Sequence, residues 1–358
     1  MKFERKVKDA HWHLFDWYDR DGRDFYTVLD GFQTRHGMAG VNICAIPCYH
    51  DYGPAQNVLA ALYKLHNPNA YAYGGMSYTA KPACFPQPEG FDLLTQYEEL
   101  MAMGFDGIKL LETKPEEQKA YGFQISDANF EPLFAACEKN GTHLIWHVAD
   151  PETFWDKDRI PVRFLEKGWF YGDGTYMPLD QLYGQVEAVL ARHPKLKVNF
   201  AHFFFRSEHP ELLEALFAKY ENVGVDITPG AEMYADFRKE RDFYRDFFTK
   251  YADRILFGTD TEFETYGEPD AYFDTLQDAV YSFAASDRDT FVIVEDVKGL
   301  DLPETVKDKI LYQNFERLAG KTPKPVDVEA LKRYVKKYAP YFTDKKLLAR
   351  IEQELQEK

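Results

Sequence analysis

A chain of 358 residues, 45% hydrophobic and 16% aromatic, has ample material for a large core, which excludes a disordered protein. Its formal net charge of -16 argues against a nucleic-acid backbone or a membrane surface as partner. The N-terminal MKFERKVKD lacks a signal-peptide core, no apolar run is long enough to cross a bilayer, and the four cysteines form no CxxC pair, so a cytoplasmic protein is expected.

The first predicted strand, Val7 to His13, ends in two histidines one residue apart. In a strand, residues i and i+2 share a face, so His11 and His13 project side by side, and two converging imidazoles are half of a divalent metal site. A polar and aromatic stretch follows, then the apolar run Met38 to Tyr49, read as a buried strand holding Cys44 and Cys48 as small hydrophobes. Helical spacing covers Ala55 to Leu65, Ala70 to Tyr78 is the third strand, and Phe91 to Met103 is a helix stopped by Gly104. The fourth strand, Phe105 to Leu111, carries Lys109. Asp127 caps a helix that closes at Gly141, ahead of the strand His143 to Val148.

A long loop then runs from Asp150 to about Met177, with Phe154, Trp155, Trp169, Phe170 and Tyr171. Connections of this length inside a domain are usually functional, so a lid or binding loop is expected. The helix Leu182 to Ala191 leads to the strand Lys197 to His202, and the helix Glu211 to Tyr220 to the strand Val223 to Ile227. A helix over Phe237 to Tyr251 precedes the last strand, Arg254 to Asp260.

Eight nearly continuous apolar strands alternating with helices predict an α/β fold, a (β/α)8 TIM barrel. A doubly wound sheet is the alternative, but no glycine-rich turn follows the first strand. The KTPKP segment after Gly320 reads as a linker, dividing a barrel over residues 1–320 from a helical C-terminal extension over 321–358. That extension is expected to pack on the barrel flank or on a partner subunit of a homo-oligomer.

Barrel enzymes place their catalytic groups at the C-terminal ends of strands. Those ends carry His11 and His13, Lys109, His147, His202 and Asp260, the donor types of a divalent metal delivered to one mouth. Against this stand plainer readings, in which the histidines bond to backbone carbonyls in the core and Asp260 caps a turn. His143 has the parity of His147 but lies deeper in its strand, so a structural role is expected there. Trp12 should face the helices, whereas Trp17, Phe203, Phe204 and Phe205 are candidates for a pocket wall. Arg206 and Glu262 follow His202 and Asp260 closely enough to read a charged substrate group, or to form surface ion pairs.

The segments DAHWH, LIWHVAD, NFAHFF and RILFGTD resemble the amidohydrolase-related metal-dependent hydrolases, and LYQNFERLAG is similar to that family's closing asparagine-containing helix. The resemblance spans Val7 to about Gly320 and lacks the flanking β-sandwich of ureases and dihydroorotases. It thus implies the branch that holds small lactonases, decarboxylases and uncharacterised hydrolases. It implies one divalent metal per chain, zinc with manganese as the alternative, held by His11, His13, His147 and Asp260. Asp260 would also accept the proton of the attacking water. His202 would be an unliganded polarising group or a ligand of a second metal. Lys109 would hold the substrate or supply charge, with a structural ion pair and a carboxylated bridge between two metals as further roles. The expected reaction is hydrolysis of an amide, lactone or ester of a small molecule, because a water nucleophile needs a general base and Asp260 provides one. Non-oxidative decarboxylation of an aromatic or unsaturated acid is the enzymatic alternative, and a ligand-binding barrel without activity the other.

Overall fold

The computed structural model of the chain describes residues 1–293 and 295–358. Strand β1 (Lys8–Leu14) is buried at every position, so successive side chains alternate between the barrel interior and the surrounding helices. The same burial at every position holds for β2 (Gly40–Cys44), β3 (Ala70–Gly74), β4 (Gly107–Thr113) and β5 (His143–Val148). Then come β6 (Lys197–Phe200), β7 (Val223–Asp226), β8 (Ile255–Leu256) and β9 (Thr261–Phe263). All pairings within this sheet are parallel, in the order β8-β7-β6-β5-β4-β3-β2-β1-β9.

β8 and β9 are two halves of one broken strand. The first pairs with β7 and the second with β1, and between them Ala10 N donates to Phe257 O at 3.0 Å and Asp260 N to His11 O at 2.9 Å. The sheet therefore closes into the TIM barrel. The break lies between β1 and the turn after β7: a Cβ on Gly258 would sit 2.5 Å from Thr228 Oγ1 and 3.0 Å from His11 Cβ. Only glycine fits there, and Asp260 two residues on takes a left-handed φ of +55°.

Several expected elements are shorter than their apolar runs. The strand expected to reach Tyr49 stops at Cys44, just before Pro47, which has no N–H to give a ladder. The strand expected to reach Tyr78 stops at Gly74, since at Gly75 the backbone passes so near that an added Cβ would meet Pro47 Cδ at 2.4 Å. The helix expected over Phe237 to Tyr251 is two, Met233–Lys239 and Arg241–Lys250, meeting at Glu240 with φ -120° and ψ 45°. The polar and aromatic stretch after β1 holds an unforeseen helix, Phe25–His36, capped by Asp24, whose side chain accepts from Thr27 N. Beyond β9 lie the helix Asp270–Ala285 and an antiparallel hairpin, Asp289–Val292 with Glu295–Lys298.

The segment between β5 and the helix Leu179–Arg192 has a small core of its own, with Phe154, Ile160, Phe164 and Tyr171 buried together. After Gly320, the helices Val328–Tyr338 and Lys345–Gln356 follow. Tyr334 accepts from Asn57 Nδ2 at 3.0 Å, and Tyr338 donates to Glu99 Oε2 at 3.1 Å, which seats the first of them on the barrel's outer helices. Among the described residues, no helix is long and apolar enough to cross a membrane.

Candidate metal centre

His11 and His13 leave β1 on its inner face, and what surrounds each ring determines which nitrogen is offered to the mouth. His13 Nδ1 lies 2.7 Å from the carbonyl of Cys44, which can only accept, so Nδ1 carries the proton and Nε2 keeps its lone pair. His11 Nδ1 lies 2.9 Å from Asp226 Oδ2, while Lys109 Nζ donates to His11 Nε2 at 2.8 Å. Both contacts place the His11 proton on Nδ1. The two Nε2 atoms thus face each other at 3.2 Å with their lone pairs converging, and Asp260 Oδ1 lies 3.5 Å from one and 3.3 Å from the other.

Two imidazoles and a carboxylate, with donor atoms all within 4.8 Å of one another, form a group able to hold a metal ion. Converging lone pairs repel unless a cation lies between them, so the donor set fits a divalent ion. Burial, helped by the Lys109 charge, holds the His11 imidazolium well below its usual range, so the ring is in its ligating form. Burial opposes ionisation of Asp260, but the surrounding imidazoles of His13, His11 and His202 outweigh it and hold the carboxyl well below its usual range. Lys109 is fully enclosed and its pKa is lowered, chiefly by burial.

His147 and His202 stand across the mouth at the ends of β5 and β6. His147 Nε2 is directed at Ala149 O, 2.9 Å away, and its Nδ1 faces His202 Nε2 at 3.1 Å. His147 is therefore outside the convergent group of three, though it lines the same cavity. Burial lowers both rings to about 4, so both are neutral at pH 7. β6, expected to reach His202, ends at Phe200. Four consecutive non-glycine residues follow in left-handed conformation, His202, Phe203, Phe204 and Phe205, at φ +54°, +54°, +59° and +48°. Such geometry costs about 1–2 kcal/mol per residue and persists only where packing over-determines it. Here Asp226 Oδ1 accepts His202 N at 2.8 Å, Tyr183 donates to Phe204 O at 2.9 Å, and Phe203 is wedged among Phe237, Phe247 and Phe248.

A cavity of about 250 Å³ opens above these groups. Its wall includes Phe154, Phe164, Lys167 and Trp169 from the long segment after β5. The segment is anchored by Lys114, which meets Asp150 Oδ2 at 2.9 Å, with Tyr171 donating to the same oxygen at 2.8 Å. Trp169 has two ammonium groups near its ring, Lys114 and Lys167, each 5.1 Å from the centroid. Glu262 reaches the cavity from β9 with an exposed side chain, and Asp260 and Glu264 nearby raise its carboxyl above the usual range.

Other candidates lie elsewhere. Arg206 is not part of the cavity wall; its guanidinium stacks on Tyr183 at 3.6 Å, between outer helices. Of the aromatic candidates, Phe205 lines the cavity, whereas Trp17, Phe203 and Phe204 are core. His143 is satisfied deep in the barrel by Tyr73 at 2.7 Å and Asn199 at 2.9 Å. Sequence reasoning passed over Asp226, Lys114 and Lys167. Asp226 sits at a strand end, in VGVD, and the rule that found the histidines would have found it too.

The family profile described as Amidohydrolase matches residues 77–320, more than half of the chain. No curated protein matches it. Among solved structures, one named amidohydrolase II is 14% identical, with a TM-score of 0.55, covering 88% of this chain and 100% of its own. An uncharacterised TIM-barrel protein from Bordetella bronchiseptica is 15% identical, TM-score 0.50, covering 87% of this chain and 98% of its own. A probable 2-pyrone-4,6-dicarboxylic acid hydrolase from Acinetobacter baumannii, solved with citric acid bound, is 10% identical, TM-score 0.50, covering 88% and 100%. At these identities the likeness is one of fold.

Proposed function

The chain belongs to the amidohydrolase family, and on that premise we propose that it is a metal-dependent hydrolase of an amide, lactone or ester of a small substrate. The observation that carries this reading is the meeting of His11 Nε2, His13 Nε2 and Asp260 Oδ1 at the barrel mouth. One divalent ion per chain, zinc with manganese as the alternative, would be held by these three residues. His147 is the candidate fourth ligand, since its Nδ1 is not committed to a backbone carbonyl. When bound, such an ion lowers the pKa of water from 15.7 to about 7 and polarises a carbonyl.

The chain's own groups supply the rest. Asp260, ionised in the cluster, accepts the proton of the attacking water and returns it to the leaving group. Lys109 stands 2.8 Å from His11 Nε2, where its charge stabilises the oxyanion that develops on the carbonyl oxygen. His202, neutral and held by the strained turn, orients that carbonyl. The aromatic wall of Phe154, Phe164 and Trp169 restricts the entry of bulk water. Residues 1–320 are read as the catalytic barrel and 321–358 as a helical extension on its flank.

One observation favours a second reading, decarboxylation. Glu262, its carboxyl raised by Asp260 and Glu264, stands at a cavity lined by Lys109, Lys114 and Lys167, a setting suited to an acid and to protonating carbon. A screen of lactones, esters, amides and aromatic acids in oxygen-18 water separates the two. Hydrolysis places the label in the product carboxylate. Release of carbon dioxide from an acid, with no turnover of any lactone, ester or amide, overturns the hydrolase reading.

A further inference from the structure

Asp226 ends β7 with its side chain fully buried, and it joins three strand ends. Its Oδ1 accepts two backbone amides, His202 N at 2.8 Å and Thr228 N at 3.1 Å. Its Oδ2 lies 2.9 Å from His11 Nδ1. Backbone amides can only donate, so Oδ1 is fixed as an acceptor and Oδ2 is left free for His11. On the far side of the ring, Lys109 donates to His11 Nε2 at 2.8 Å, which requires a lone pair there. Two independent contacts thus assign the same tautomer.

We propose that Asp226 is the positioning residue that holds the His11 proton on Nδ1, so that Nε2 presents its lone pair to the metal, and that it sets the metal affinity of the mouth. This rests on the metal-binding reading above but not on the choice of reaction. A carboxylate behind a ligating imidazole fixes both its tautomer and its orientation, and loss of such a partner typically weakens metal binding about 10- to 100-fold.

The isosteric variant Asp226→Asn isolates the effect. Asparagine has one oxygen and one NH2 group in place of two oxygens. The oxygen must stay with the two backbone amides, because turning the NH2 toward them would set donors against donors. The NH2 then faces His11 Nδ1 and donates to it, which moves the ring proton to Nε2. That proton points at His13 Nε2 and occupies the position from which the ring's lone pair would reach the metal. A merely structural Asp226 predicts the opposite, since the variant keeps the side-chain volume and both amide bonds.

The test titrates metal-free wild-type protein and Asp226→Asn with zinc against a chelating indicator, beside urea unfolding of both. The expected result is zinc binding weakened about 10- to 100-fold in the variant. The unfolding midpoint should move little in comparison. Equal zinc affinity in the two proteins overturns the proposal while leaving the metal site intact, whereas wild type that takes up no zinc overturns the metal reading itself. Should the variant fail to fold, nitrogen-15 NMR of metal-free wild type decides, with His11 assigned by its absence in His11→Gln. A His11 signal protonated at Nδ1 supports the assignment, and one protonated at Nε2 overturns it.

Discussion

The two sides of the barrel mouth each set a pair of histidines face to face, but only one pair has a carboxylate beside it. On the β1 side, each histidine gives its Nδ1 proton to an acceptor behind it, Cys44 O or Asp226, so both Nε2 atoms look inward with free lone pairs. Across the mouth, His147 commits Nε2 to Ala149 O and His202 turns Nδ1 to Thr228 O at 3.3 Å, so His147 Nδ1 and His202 Nε2 face each other at 3.1 Å, outside the group that Asp260 completes. The difference lies in the carboxylate, since all four imidazoles are buried and Asp260 completes the donor group on the β1 side. A pair of histidines becomes a metal-ligand candidate when a carboxylate completes the donor group.

The largest effect should come from the carboxylate that completes the β1 side. Asp260→Asn keeps the volume but removes the group assigned to accept the proton, so kcat on a substrate found by the screen should fall by about 10²–10⁴. Steady-state kinetics measure this, and a variant within a few-fold of wild type would remove Asp260 from the proton path.

Metal content sharpens the contrast between the sides. His11→Ala should abolish the uptake of divalent metal measured by elemental analysis of protein purified without added metal. If His147 is the fourth ligand, His147→Ala should also lose most of the ion. Full retention in that variant would confine the ligands to His11, His13 and Asp260.

The smallest effect concerns pH. His202 titrates at 6.5 in an unfolded chain and at about 4 in the fold, so between these values only the unfolded chain takes up the proton. Stability contributed by the buried neutral ring is therefore present above pH 6.5 and drains as pH falls toward 4. In metal-free protein, wild type should lose more stability than His202→Gln when urea midpoints are compared at pH 7 and pH 4.5, because the variant lacks this group while every other ionisable group is shared. Parallel losses would mean that His202 takes up its proton in the fold as readily as in solution.

Much of this was legible in the chain. Apolar runs one strand long predict a parallel sheet covered on both faces, and their eightfold alternation with helical spacing favours a barrel over a doubly wound sheet. The placement of His11, His13, His147, His202 and Asp260 at strand ends followed from the period of a strand and the polarity of the barrel. Strand ends were less legible: hydrophobicity continues past Cys44, Gly74 and Phe200, and what stops each ladder is a proline, a close backbone approach or a left-handed turn. The helix Phe25–His36 was missed because its face is mixed with polar residues and its signal is the Asp24 cap.

What only the tertiary structure decided is the commitment of each nitrogen. The acceptors that matter, Cys44 O, Asp226 and Ala149 O, lie 31, 215 and 2 residues from the histidines they meet. Arg206, adjacent in sequence to the strained turn, lies outside the cavity, while Lys167, far from any strand end, lines it. Residue types and strand period are local properties of a chain and survive in its sequence. Which lone pair is left over depends on contacts made only when the barrel closes.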